Sequence, residues 1–184
     1  IELNGQEVPI MDGSSKPFVE LLKAAGVKFL NEDRKVYKVK ETIVYRDEAR
    51  GVELMVVPDD SYSVTAMIDY NSPVLGAQHA TLDKIEDFED HIASSRTFCF
   101  LHELELLLNH NLIKGGDLSN AIVVVDKVVS QDELDKLAVL FNREKVEVKT
   151  EGYLNNLELR HKNEPARHKL LDVVGDLGLV GAPI

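Results

Sequence analysis

Apolar positions change period several times along this chain, and each change marks an element. Ile1 to Ile10 carries strand-like apolar residues around an Asn4-Gly5 turn signal. Met11 to Pro17 reads as a loop, and Phe18 to Ala25 shows helical spacing until Gly26 ends it. From about Arg34 the pattern becomes that of strands: Val36 to Tyr45 is rich in β-branched and aromatic residues, and Val52 to Val57 is largely apolar. Tyr62, Val64, Ala66, Ile68 and Tyr70 alternate with their neighbours, as in an antiparallel sheet with one covered face. Asn71-Ser72-Pro73 breaks the run.

Leu82, Ile85, Phe88 and Ile92 then follow helical spacing, and Ser94 to Phe98 leaves it. His102 to Asn109 reads as a helix with an apolar stripe of Leu101, Leu104, Leu107 and Leu108. After a turn at Lys114-Gly115-Gly116-Asp117, Ala121 to Val125 is the clearest buried strand, and Gln131 to Phe141 is amphipathic. Val146 to Val148 reads as a short strand and Glu151 to Lys162 as a polar connection. The last helix begins near Pro165, which suits the first helical position, with Asn163 placed to cap it. Runs of strands and pairs of helices without regular alternation predict an α+β fold, a mixed or antiparallel sheet with a helical layer.

That last helix concentrates the chemistry. At roughly 3.6 residues per turn, His168, Asp172, Gly175, Asp176 and Leu179 share a face, and Lys169 adjoins it. His168 and Asp172 are one turn apart, a spacing from which two side chains can grip one metal ion. Spacing alone does not decide, because His79 and Asp83 share it and the usual occupant of such a pair is a surface hydrogen bond.

Composition narrows the classes. The 184 residues are 44% hydrophobic, enough for a real core. A formal charge of -11, from 21 basic against 32 acidic side chains with no basic cluster, argues against nucleic acid or anionic membrane as a partner. The single cysteine, Cys99, fits a reducing compartment and reads as a small buried apolar residue. No apolar run reaches the ~18 residues of a membrane span, and no leader-like segment is present, so a cytoplasmic protein is expected. The chain opens mid-strand without Met and closes on an apolar helix, which is expected of a piece of a longer protein.

Several familiar chemistries fail on residue identity. His102-Glu103 lacks the second His that a zincin helix needs, since position 106 is Leu106. His91, His102, His110 and His161 read as exposed polar residues. There is no phosphate-cradling loop with a following Lys, and Gly13-Ser14-Ser15-Lys16 is not a nucleophile elbow.

Five stretches in order nonetheless carry a resemblance. They are Pro9-Ile10-Met11-Asp12-Gly13-Ser14, Ile68-Asp69-Tyr70-Asn71-Ser72-Pro73, Ser95-Arg96-Thr97-Phe98, Lys114-Gly115-Gly116 with Asn120-Ala121-Ile122-Val123, and Arg167 to Asp172 with Gly175-Asp176-Leu177. In this the chain resembles the zinc-dependent UDP-3-O-acyl-N-acetylglucosamine deacetylases of lipid A biosynthesis. The resemblance implies two similar α+β domains with the site between them: residues 1–33 as the C-terminal part of the first, and 34–184 as most of the second. It places zinc ligands at His168 and Asp172, with iron(II) also suited to such donors. Thr97 matches an oxyanion-stabilising hydroxyl and Lys169 a substrate-contacting lysine; Asp176, one turn beyond Asp172, is placed to orient the acid by hydrogen bonding. Tyr70 matches a ring that stacks on uracil, and Phe98, Gly115 and Gly116 line the same cleft. Leu101, Leu104, Ile113, Leu118 and Val123 match an acyl-chain passage, with ordinary core packing as the alternative.

The departures are equally specific. The family's third zinc ligand, its general-base carboxylate and its acid His match nothing in this chain, so the isolated piece is expected to be inactive. The segment at about 126–156 is extended, resembling forms fused to a 3-hydroxyacyl-[acyl carrier protein] dehydratase. The expected partners are the UDP-linked substrate and the remainder of the parent polypeptide. A non-catalytic α+β binding or scaffold module is the competing reading.

Overall fold

The computed structural model describes residues 1–104, 118, 120–148 and 152–184. Its order is α1 (Lys16–Ala25), β1 (Ile43–Asp47), β2 (Val52–Val56), β3 (Val64–Asp69), β4 (Ala77–Leu82), a 3-10 turn at Ile85–Asp87 running into α2 (Phe88–His91), and β5 (Phe98–Phe100). There follow β6 (Ile122–Val125), α3 (Gln131–Leu140), β7 (Gly152–Tyr153), a 3-10 turn at Leu154–Asn156, and α4 (Glu164–Gly178). Residues 101–104 are also helical. The fold is α+β, as its residue pattern predicts.

Three small sheets carry it among the described residues. β1 and β2 pair antiparallel, as do β3 and β4, and the third sheet has the order β5-β6-β7. β5 and β6 run parallel, with Phe98 opposite Ile122 and Phe100 opposite Val124, whereas β7 is antiparallel to β6. The sheets are therefore mixed in sense.

The alternation read from the sequence survives in β3, where Val64 and Ile68 are buried and their neighbours lean outward. Ala80 and Leu82 of β4 supply the facing pair, and Ala166 and Leu170 of α4 cover them, with Ile92 completing this core. Burying side chains of this kind contributes about 1.5–3 kcal/mol each. A second core lies across the third sheet: Val123 and Val125 pack with Leu104, Leu134, Leu137, Ala138, Val146 and Leu154. Successive strand residues face opposite sides, so Phe100 and Val124 join Leu75 in a third cluster instead.

Several expectations are corrected. Residues 1–10 form no strand, and pairing in the Val36 to Tyr45 segment begins only at Ile43. Leu82 belongs to β4, so the helical spacing from Leu82 to Ile92 spans a strand end, a 3-10 turn and a single α turn. Val146 to Val148 is not a strand; its backbone is instead tied to Asn155, whose N–H donates to the Glu147 carbonyl and whose Oδ1 accepts from the Glu147 N–H. Asn163 does not cap α4 with its side chain: Nδ2 donates to the His79 carbonyl and Oδ1 accepts from Arg167 Nε.

Candidate functional site

The site is built on α4 and on the loop before β5. α4 starts at Glu164 with Pro165 in its first turn, where a missing N–H costs no hydrogen bond. Its buried face, Ala166 and Leu170, seats it on β3 and β4 and so sets the direction in which His168, Lys169 and Asp172 project. His168 Nδ1 lies 3.0 Å from the Ser95 carbonyl oxygen. A carbonyl only accepts, so Nδ1 carries a proton and, in the neutral imidazole, Nε2 is the nitrogen left to ligate. Nε2 faces Asp172, with Nε2 and Oδ1 3.6 Å apart. The imidazole is 12% exposed and the carboxylate 38%, which leaves the carboxylate side of the pair open to an approaching ligand.

Lys169 Nζ donates to Asp172 Oδ2 at 2.9 Å and stands 5.7 Å from the centre of the Phe98 ring. Burial works to depress the ammonium, but the hydrogen bond and charge of Asp172, aided by Tyr70 and Asp176, outweigh it and hold Lys169 above its usual value. Asp176 is exposed, a further turn along. Tyr70 meets Phe98 edge-on at 5.9 Å and Phe100 at 5.4 Å, so its partly exposed ring stands beside the ammonium as part of one aromatic surface.

Thr97 enters through backbone geometry. Its N–H donates to the Gly13 carbonyl at 2.7 Å, and its own carbonyl accepts from the Ile122 N–H at 2.8 Å. Gly13 has φ +81°, and a Cβ there would lie 1.8 Å from the Asn120 carbonyl oxygen, so no other residue fits. Asp12 accepts from the Ser14 N–H and hydroxyl and pairs with Arg160 at 2.9 Å. Burial alone would raise its pKa; these bonds hold it below the usual carboxylate range.

Behind this face lies an ion pair that the residue pattern did not disclose. Glu164 and Arg96 are both buried; Glu164 Oε1 accepts from the Arg96 N–H and Nε, and Oε2 accepts from Arg96 Nη2 and the Arg160 N–H. A charged residue at 96 and a Glu beside a helix-opening Pro were the available signals, but nothing in the sequence ties positions 68 apart.

The structure thus gathers His168, Asp172, Lys169, Tyr70 and Phe98, and ties Thr97 to the same loop. It places Leu104 and Val123 in the core, 3% exposed each, with Leu101 and Leu118 packed against them. That core lies across β5 and β6 from the Phe98 side of the sheet. Gly115, Gly116, Ile113 and His110 lie outside the described residues. His91 and His102 are exposed, whereas His161 is partly buried, with Nε2 3.1 Å from the Ser94 hydroxyl. Cys99 is partly buried, as expected. A groove of about 1090 Å³, lined by Tyr37, Tyr62, Val174 and Leu177, lies beside the later turns of α4 and involves none of the expected site residues.

The donor set fits a metal in part. His168 and Asp172 present the right atoms, and the Ser95 carbonyl fixes the tautomer as outer-sphere partners do for ligating histidines. Among the described residues no three His, Cys, Asp or Glu side chains converge.

The sequence profile of one family, described as LpxC: UDP-3-O-acyl N-acetylglycosamine deacetylase, matches residues 1–138 and 136–184. The chain belongs to this family. It is 42% identical over 184 residues to the "Bifunctional enzyme LpxC/FabZ" of Bacteroides thetaiotaomicron, covering 100% of this chain and 40% of that protein. To the bifunctional enzyme of Porphyromonas gingivalis it is 44% identical over 181 residues, covering 98% of this chain and 39% of the relative. To the "UDP-3-O-acyl-N-acetylglucosamine deacetylase" of Chromobacterium violaceum it is 35% identical over 187 residues, covering 100% and 53%. The chain therefore spans about half the length of its single-function relatives and less of the bifunctional ones. Among the described residues no helix is long and apolar enough to cross a membrane.

Proposed function

We propose that this chain carries one half of the active site of a metal-dependent deacetylase that removes the N-acetyl group of UDP-3-O-acyl-N-acetylglucosamine in lipid A biosynthesis. The observation that carries the reading is the pairing of His168 and Asp172: an imidazole with Nδ1 engaged by the Ser95 carbonyl and Nε2 turned toward a partly exposed carboxylate. These two residues would hold zinc or iron(II), and a third protein ligand comes from elsewhere in the parent polypeptide. The metal, when bound, would polarise the amide carbonyl and acidify water toward a pKa of ~7.

The chain's own residues do the rest of its share. Thr97 donates its hydroxyl to the oxygen that becomes negative as the amide carbon turns tetrahedral, and Lys169 places a cation beside it. Tyr70 and Phe98 offer π-faces to the uracil and sugar ends of the substrate. Asp176 orients the acid that protonates the departing amine. Gly115, Gly116 and Ile113 would line the cleft, whereas Leu104 and Val123, with Leu101 and Leu118 against them, take the core-packing alternative to the acyl passage. Residues 1–33 complete a first domain and 34–184 form most of a second. The base and the acid are contributed outside this chain, so the isolated chain turns over no substrate. The higher identity to the bifunctional relatives supports a parent fused to a 3-hydroxyacyl-[acyl carrier protein] dehydratase; a cytoplasmic location rests on the composition alone.

The test uses the full-length protein: metal analysis and an amide-hydrolysis assay on the UDP-linked substrate, with His168→Ala alongside. Loss of both metal and turnover is expected; full activity without His168 would end the assignment. The second reading, a non-catalytic binding module, is the alternative outcome of the same test. That reading gains if the full-length protein binds the UDP-sugar but never releases acetate.

A further inference from the structure

Glu164 and His168 sit one turn apart on α4, and they grip the two ends of a single peptide unit. The Arg96 N–H donates to Glu164 Oε1 at 2.9 Å, and the Ser95 carbonyl of the same peptide accepts from His168 Nδ1 at 3.0 Å. The described backbone contains no cis bond, and a planar trans peptide points its C=O and N–H in opposite directions. Its orientation is therefore one choice with two consequences. Were the peptide turned over, its carbonyl would face the Glu164 carboxylate, and its N–H would require Nδ1 of His168 to accept. The imidazole proton would then sit on Nε2, the nitrogen that has to ligate.

We propose that Glu164 is a positioning residue: by holding the Arg96 N–H it aims the Ser95 carbonyl at His168 and keeps the imidazole in the Nδ1–H tautomer, with Nε2 free for metal. The inference rests on the metal-site reading above. Glu164 touches neither metal nor substrate; it acts through one backbone unit. Arg96 serves the same end, since its Nε shares Oε1 with the N–H, its Nη2 bonds Oε2, and its Nη2 also reaches the Glu158 carbonyl at 2.9 Å. The carboxylate is thereby locked in the plane that receives the N–H. A merely structural ion pair would stabilise the fold without selecting between imidazole tautomers.

The experiment observes the tautomer directly. Full-length protein with ¹⁵N-labelled histidine, stripped of metal and held at about pH 8.5 so that ordinary imidazoles are neutral, is studied by long-range ¹H–¹⁵N correlation. The wild-type protein is expected to show His168 protonated on Nδ1; protonation on Nε2 would overturn the proposal without any variant. Glu164→Gln is expected to give a mixture of tautomers and to weaken zinc binding, read by chelator competition, by about 10–100-fold. A folded Glu164→Gln protein with wild-type tautomer and wild-type zinc affinity would also overturn it. Should that variant not fold, the double variant Glu164→Leu, Arg96→Met removes both charges at similar volume, a replacement that buried ion pairs often tolerate. It is expected to lose the tautomer preference while folding, and retention would count against the proposal. His168→Ala with undiminished zinc would remove the metal reading while leaving the tautomer result standing, so the two failures are distinguishable.

Discussion

Lys169 Nζ is held between Asp172 Oδ2, at 2.9 Å, and the Phe98 ring centre, at 5.7 Å. One cation thus touches both the carboxylate expected to ligate metal and the aromatic surface expected to meet substrate. Replacing Lys169 by Ala in the full-length protein should lower kcat/KM by about 10²–10³-fold, the loss typical of one group that stabilises developing charge. Because the side chain is 42% exposed, the fold should be unaffected, which circular dichroism checks alongside the kinetics.

Glu164 makes acid the weak side of the fold. Burial alone would raise its pKa, but the bonds from Arg96 and Arg160 hold it below its ordinary value of 4.5. A carboxylate depressed in the folded state contributes stability that is fully present above its unfolded pKa and is lost as pH falls through the folded one. Thermal midpoints should therefore be flat above about pH 5 in this contribution and fall steeply below 4.5. Glu164→Ala should cost about 3–5 kcal/mol at neutral pH by leaving Arg96 buried and unpaired, and its curve should lose that acid limb.

Gly13→Ala joins two penalties. The new Cβ would meet the Asn120 carbonyl oxygen at 1.8 Å, and φ of +81° is unsuited to a side chain. Urea unfolding should show a loss of at least about 2 kcal/mol. Movement of Gly13 also loosens the bond its carbonyl makes to the Thr97 N–H, so turnover should fall beyond the stability loss.

Cys99 should be chemically quiet. Burial, with Glu103 adding to it, pushes its thiol from 9.0 up to about 11. A rise of two units leaves about 100-fold less thiolate at pH 8. Alkylation by iodoacetamide, followed by mass mapping of the Cys99 peptide, should run about 100-fold slower in native than in unfolded protein.

Local pattern disclosed those parts whose causes are local. β3 alternates because one face is covered, β6 is apolar throughout because both faces are, and α4 announces itself with a Pro at its start. β4 went unread because Ala77 to Leu82 offers only Ala80 and Leu82 to the core, and Leu82 also fits the spacing of the turns that follow. The apolar residues 36–45 read as strand, yet only the last of them find a partner, and Val36 and Tyr37 stay exposed. The His168–Asp172 pair was legible as a spacing; what fixes the imidazole was not. The Ser95 carbonyl and the Glu164–Arg96 pair come from contacts across about seventy residues, which no periodicity records.

The loop from Ser94 to Thr97 is anchored at every residue: Ser94 to Arg160 and His161, Ser95 to His168, Arg96 to Glu164, and Thr97 to Gly13. Such a segment has no small opening motion, because freeing one amide breaks contacts to α4 and to the residues before α1 together. The amides of Arg96 and Thr97 should therefore exchange with solvent deuterium only as fast as the surrounding cooperative unit unfolds. Reach and catalytic geometry are then inherited from the stability of that unit, and a substitution that loosens it will show in deuterium uptake here before it shows at any ligand.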